Sequence, residues 1–179
     1  MASASKGFGR STSVEAEAVS ADLRRGDDGW LRRRRNVAAL SLSAMGSMGV
    51  VAAYQFGLLR RPPEPRIRLL DAQKVDASGE AYQFLKTPDA AVGLASYAAT
   101  LALAGMGDRN RARTRPWVPL ALAAKVGLDA VSGVLLTAEQ ASKHRRFCSW
   151  CLAASAASVA MVPQVLPEAR EAWHRLRRG

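Results

Sequence analysis

The chain has 179 residues, with 26 Lys+Arg against 15 Asp+Glu and a net charge of +11. Apolar residues make up 49%, too many for a wholly disordered chain, and two cysteines are too few for a disulfide-built scaffold. The charges fall in blocks, and the apolar runs between them are Ala- and Leu-rich and too long for strands, which excludes an extended β architecture.

Residues 1–33 are rich in Ser, Ala and charge and show no apolar periodicity, so they read as a disordered basic tail. No apolar stretch follows Met1, so this is not a signal peptide. From Asn36 to Leu59 there is no charged residue. Such a run matches the ~20 residues that a helix needs to cross a bilayer core. Its only polar breaks after Asn36 are Ser, Tyr and Gln, whereas a soluble helix shows a polar stripe every three or four residues. Arg61-Pro62-Pro63-Glu64-Pro65 follows as a stiff extended connector. Asp71 to Asp89 mixes charges with Val75, Ala81, Phe84 and Leu85. It reads either as a short helix capping the bundle, with the Ser78 and Tyr82 hydroxyls over a cavity, or as a solvated loop.

Ala90 to Gly107 is a second uncharged run, closed by Arg109, Arg111, Arg113 and Arg115. Trp117 to Ala138 is a third apolar run, broken only by Lys125 and Asp129. Four residues apart on a helix, these two share a face and read either as a self-neutralising pair or as the polar wall of a buried cavity. Phe147 to Pro167 is the fourth run, and residues 169–179 form a basic tail. Small residues are frequent in all four runs, as in membrane helices that pack closely. The fold expected is all-α: an integral membrane four-helix bundle over 34–168 behind the disordered tail, in contact with the lipid bilayer. Four spans put both tails and the second connection on one side. Their arginines place that side in the cytoplasm, giving a multi-pass protein of the cytoplasmic (inner) membrane with both termini inside. The arginines flank spans and match no recognition motif, so no nucleic-acid partner is expected.

Cys148-Ser149-Trp150-Cys151 holds both cysteines in one CxxC. At a helix start this spacing brings the sulfurs within reach of a disulfide, and the first thiol meets unpaired N–H groups that favour a thiolate. Lys143, His144, Arg145 and Arg146 precede it and act in the same sense. A redox-active dithiol, incidental apolar cysteines and a metal site compete as readings. Zinc is poorly supported: only His144 and His174 remain to complete four ligands, and His174 lies toward the other membrane face.

The stretch Lys74-Val75-Asp76-Ala77-Ser78-Gly79-Glu80-Ala81-Tyr82, then Phe84, Pro88, Gly93 and Tyr97, resembles the vitamin K epoxide reductase family, as does Phe147-Cys148-Ser149-Trp150-Cys151-Leu152 at the start of a fourth helix. Order and spacing agree over roughly residues 36 to 167. The resemblance implies a four-helix membrane bundle around a quinone (menaquinone or ubiquinone) that takes electrons from the CxxC. It implies that Cys151 lies nearer the quinone and attacks it, that Cys148 exchanges with a thiol donor, and that Ser78 supports the site. Tyr82 and Trp150 are the further candidates for contact with the quinone. Two departures stand out. Family members carry a cysteine pair in the first loop, but Arg66 and Ala72 occupy those places here, so a thioredoxin-like partner on the outer face is expected to meet Cys148 directly. The family's Gly-x-Pro is Lys86-Thr87-Pro88. The alternative is a non-catalytic membrane scaffold derived from the same fold.

Overall fold

Seven α-helices organise the residues described by the computed structural model, 13–82 and 84–178. The first, α1, spans Val14–Arg25. This departs from the disordered tail expected over 1–33; residues 1–12 lie outside the described residues. The helix forms because Ser13 Oγ caps it by accepting the Ala16 N–H at 3.1 Å, because its Ala and Glu residues are good helix formers, and because Arg24 and Arg25 sit in its last turn, where cations oppose the helix dipole. Asp22 is paired with Arg109, and the Arg35 guanidinium bonds the Leu23 and Gly26 carbonyls, so α1 is tied to the bundle.

The next helix, α2, spans Gly29–Gln55 and starts ahead of the expected run because Asp28 caps it through the Leu31 N–H at 2.8 Å. The boundary expected between 33 and 34 therefore falls inside a helix. After the proline-rich connector comes α3, Ala72–Asp76, with 3-10 turns at Gly79–Tyr82 and Phe84–Lys86. Then follow α4, Asp89–Gly105; α5, Arg111–Thr114; α6, Trp117–Glu139, prolonged by a π turn over Gln140–His144; and α7, Ser149–Arg178. The α7 helix runs unbroken through Pro163 and Pro167, so the basic tail, expected over 169–179, is its last turns as far as Arg178, and residue 179 lies outside the described residues. No strand occurs among the described residues. Three helices, α2, α6 with its π turn, and α7, are long and apolar enough to cross a membrane; α4 is apolar but shorter.

These four helices pack as a ring, with α2 and α6 each touching both α4 and α7. Their shared core is Val37, Ala44, Tyr97, Ala104, Leu122, Val126, Ala154, Ala157, Met161 and Val165. The small residues allow close approach. A Cβ on Gly133 would sit 2.9 Å from Ser155 Oγ and 3.2 Å from its Cα, so only glycine fits where α6 meets α7. Outside the ring, Leu128, Val131, Val134, Leu135 and Leu136 on α6 are all more than half exposed. A soluble monomer does not leave such a contiguous apolar face in water, whereas a bilayer covers it.

Lys125 and Asp129 form an ion pair at 2.6 Å on α6. Ser96 and Thr100 of α4 donate to the Asp129 carboxylate at 2.9 and 3.1 Å, and the Lys125 ammonium donates to Ser96 Oγ at 2.7 Å. The pair neutralises itself and joins two helices. At the far end of α7, Glu168 accepts from Arg34 of α2 (2.6 Å) and from Arg111 of α5 (2.8 Å). All three are buried, at 3%, 0% and 5% exposure for Arg34, Arg111 and Glu168. Arg111 also donates to the Leu103, Ala104 and Met106 carbonyls that end α4. Two arginines that the charge pattern assigns to orientation are thus interior parts of the bundle.

Candidate active site

Cys148 is the residue before α7, and its sulfur acts as a helix cap: the Cys151 N–H points at Cys148 Sγ at 3.3 Å, and Leu152 N–H bonds the Cys148 carbonyl at 3.0 Å. The CxxC therefore sits at a helix start, as the family resemblance implies. Both cysteines are free thiols, Cys148 fully buried and Cys151 half-buried. Arg145 turns the chain from the π turn toward α7 in the left-handed conformation (φ 51°).

The first connection folds over this helix start. Phe147 and Leu70 form a parallel β-bridge, with Phe147 N–H on the Leu69 carbonyl at 2.9 Å and Asp71 N–H on the Phe147 carbonyl at 3.0 Å. Glu64 joins two helix starts with one carboxylate: Oε1 accepts Ser149 N–H of α7 and Oε2 accepts Ala72 N–H of α3, both at 2.7 Å. Gln140 Oε1 accepts the Cys148 N–H at 3.0 Å. Cys148 is closed in by these contacts and by Val51, Ala52, Ala72, Val75 and Ala90 of its apolar cluster.

One residue at the dithiol went unrecognised in the sequence. Asp76, at the end of α3, is 3% exposed and accepts the Cys151 S–H at 3.4 Å on Oδ1. Its Oδ2 is buried with no hydrogen-bond partner among the described residues. The carboxyl oxygen and the two sulfurs lie within 4.8 Å of one another. Burial pushes the Asp76 carboxyl up to about 6; bonds from the Cys148 and Cys151 thiols pull it down, and the negative charges of Asp89 and Glu64 add to the rise. Asp76, Cys148 and Cys151 offer three donor atoms, one fewer than the four protein ligands of a closed structural zinc site. The basic flank expected to act on the thiols is engaged elsewhere in part: Lys143 pairs with Glu139, and Arg146 bonds the Arg145 carbonyl. Asp76 bonds the Cys151 thiol, and Glu64 bonds the Ser149 N–H beside it.

The other candidate residues lie around this centre. The Tyr82 hydroxyl donates to the Gln55 carbonyl at 3.2 Å, closing the end of α2. Trp150 packs against the apolar cluster and donates its indole N–H to the Pro63 carbonyl at 2.8 Å, on the first connection. Ser78 is half-buried just past α3, with its N–H on the Val75 carbonyl at 3.3 Å. Lys86, where the resembled pattern has glycine, adopts φ 56°, the left-handed conformation that glycine enters freely.

An apolar cluster packs around Cys151. Met48, Val51, Ala90, Leu94 and Trp150 make an apolar wall, and Asp76 Oδ2 is a buried polar atom still short of a partner. A family model described as the vitamin K epoxide reductase family matches residues 36–166, more than half of the chain. Neither a curated protein nor a solved structure matches it.

Proposed function

The chain belongs to the vitamin K epoxide reductase family of membrane thiol–quinone oxidoreductases, and on that basis we propose that it passes electrons from a thiol partner through Cys148 and Cys151 to a quinone. The observation that carries this reading is the pair of sulfurs at the start of α7, within 4.8 Å of each other and of a buried carboxyl. In the proposed cycle the resting pair is a disulfide. A partner thiolate attacks Cys148 Sγ, the S–S bond breaks, and Cys151 leaves with the electron pair. A second partner thiol resolves the mixed disulfide and leaves the dithiol. A bound quinone supplies the two-electron acceptor that restores the disulfide. Met48, Val51, Ala90 and Leu94 form the apolar wall that would hold the ring and exclude water. Ser78, Tyr82 and Trp150 are the further residues proposed to contact the ring.

Burial sets a condition on donor access. Cys148 is enclosed, so exchange at its sulfur requires the first connection to move off the helix start. With Ala72 and Arg66 in the loop in place of cysteines, the partner must reach this point itself. We place α4 as the fourth span. At about 25 Å it is shorter than the ~30 Å hydrocarbon core, a mismatch that local thinning absorbs. We place both termini in the cytoplasm and the dithiol on the outer face of the inner membrane, where disulfides persist.

The test is the thiol state of Cys148 and Cys151 in intact membranes, read with an alkylating mass tag before and after reductant, with and without added quinone. A pair that is oxidised and cycles with quinone supports the reading. Thiols that stay reduced and ignore quinone, or quinone-dependent thiol oxidation that survives both Cys148→Ser and Cys151→Ser, refute it and leave a membrane scaffold in its place.

A further inference from the structure

Oxidising a dithiol removes two electrons and two protons, and each proton needs an acceptor. At this dithiol one acceptor is already in contact: Asp76 Oδ1 takes the Cys151 S–H at 3.4 Å, and the Cys148 sulfur lies within 4.8 Å. The carboxyl is buried and its second oxygen has no partner among the described residues. The ionised groups acting on it include Glu64 from the first connection and Asp89 from the start of α4, both of like sign. Gln55 of α2 donates to the Asp76 backbone carbonyl at 3.2 Å. Lys143 and His144 belong to the π turn that packs against α3, and exposed Lys74 is on α3 itself.

Thiol hydrogen bonds favour the ionised carboxylate, and burial with two neighbouring acids opposes it. A disulfide has no S–H to donate. Closing the S–S bond therefore withdraws the support of the carboxylate and leaves the opposing effects in place. Resting on the dithiol reading above, we propose that Asp76 is a redox-linked proton site, which takes the Cys151 proton when the pair closes and returns it when the disulfide opens. On closing, the Cys151 S–H bond breaks, its proton moves to Asp76 Oδ1, and an S–S bond forms to Cys148 Sγ. Two electrons pass to the quinone-class oxidant, and the Cys148 proton with one proton from solvent completes the quinol. On opening, an incoming thiolate bonds Cys148 Sγ, the S–S bond breaks, and the pair left on Cys151 takes the proton from Asp76.

The test needs no quinone and no partner protein. The full chain in detergent is equilibrated with mixtures of reduced and oxidised dithiothreitol from about pH 5 to about pH 8.5, and the thiol fraction is read by mass tag. Both couples exchange two protons when nothing else is linked, so their equilibrium is then independent of pH below the thiol range. With Asp76 linked, reduction of the protein releases one proton above about pH 6. The reduced-to-oxidised ratio at fixed dithiothreitol ratio then rises toward tenfold per pH unit, until the pH passes the titration of the oxidised form. Asp76→Asn flattens the rise and Asp76→Glu keeps it. Lys143→Gln and His144→Gln also keep it, which separates Asp76 from a histidine, a residue type that titrates in the same range. A flat wild-type response, an equal rise in Asp76→Asn, or a rise lost in His144→Gln overturns the inference. If Asp76→Asn does not fold, a carboxylic C=O band in the wild-type infrared difference spectrum, present only in the oxidised form, carries the test, and its absence overturns the inference. Failure to form any disulfide overturns instead the dithiol reading beneath it.

Discussion

Replacing Glu64 by Ala removes one carboxylate from two helix starts. Its oxygens accept Ser149 N–H and Ala72 N–H, each at 2.7 Å. A lost cap costs about 1 kcal/mol, and loss of an anion near a helix N-terminus adds about 0.3–1 kcal/mol. At the Ser149 bond, which joins the first connection to α7, the two together give about 1.3–2 kcal/mol. Since 1.4 kcal/mol is a factor of ten, the open form becomes about 10- to 30-fold more populated. The reporter is Cys148, which is fully buried when the connection is closed. In a Cys151→Ser background it is the only thiol of the chain, and its alkylation by N-ethylmaleimide follows the opening equilibrium as long as reclosing is fast. The expected result is a rise in alkylation rate of about 10- to 30-fold for Glu64→Ala. Glu64→Gln, which keeps one oxygen acceptor and loses the charge, gives a smaller rise. A rate within about twofold of the parent refutes the claim that Glu64 holds the cover shut.

Two further predictions concern stability. Glu168→Gln leaves two buried guanidinium groups without a counter-charge, which costs about 3–5 kcal/mol and lowers the melting midpoint in detergent by about 10 °C; a shift below about 3 °C contradicts the assignment. Lys86→Gly relieves a left-handed backbone and stabilises the protein by about 1 kcal/mol in the same melt, whereas a loss of stability argues against that conformation.

The spans were legible because the absence of charge over a long apolar run has few other physical causes, and α2, α6 and α7 lie where those runs lie. The CxxC was legible because its spacing is local. What stayed hidden depends on contacts between distant positions. Arg34 and Arg111 look like other arginines in a basic block, and nothing local announces that Glu168, 134 and 57 residues away, will take them both. The helix at Val14–Arg25 was missed because only Val19, Asp22 and Leu23 turn partly inward among its described side chains, too few to leave an apolar periodicity to read. Asp76 carried a faint signal. Ala72, Val75 and Asp76 are the buried residues of α3, at helical spacing, and an acid on an otherwise apolar stripe is expensive unless it has work to do. The Cys151 contact that identifies its role spans 75 residues.

The order in which the chain is made gives the Glu168 network another meaning. Arg34 emerges from the ribosome first, Arg111 next, and the carboxylate that neutralises them comes last, near the far end of α7. Until then two guanidinium groups wait without their acid, and the carbonyls that end α4 lack a seated Arg111. A chain that stops short of position 168 leaves this corner without its carboxylate, so closure of the network waits on α7 being made and packed against α2 and α5.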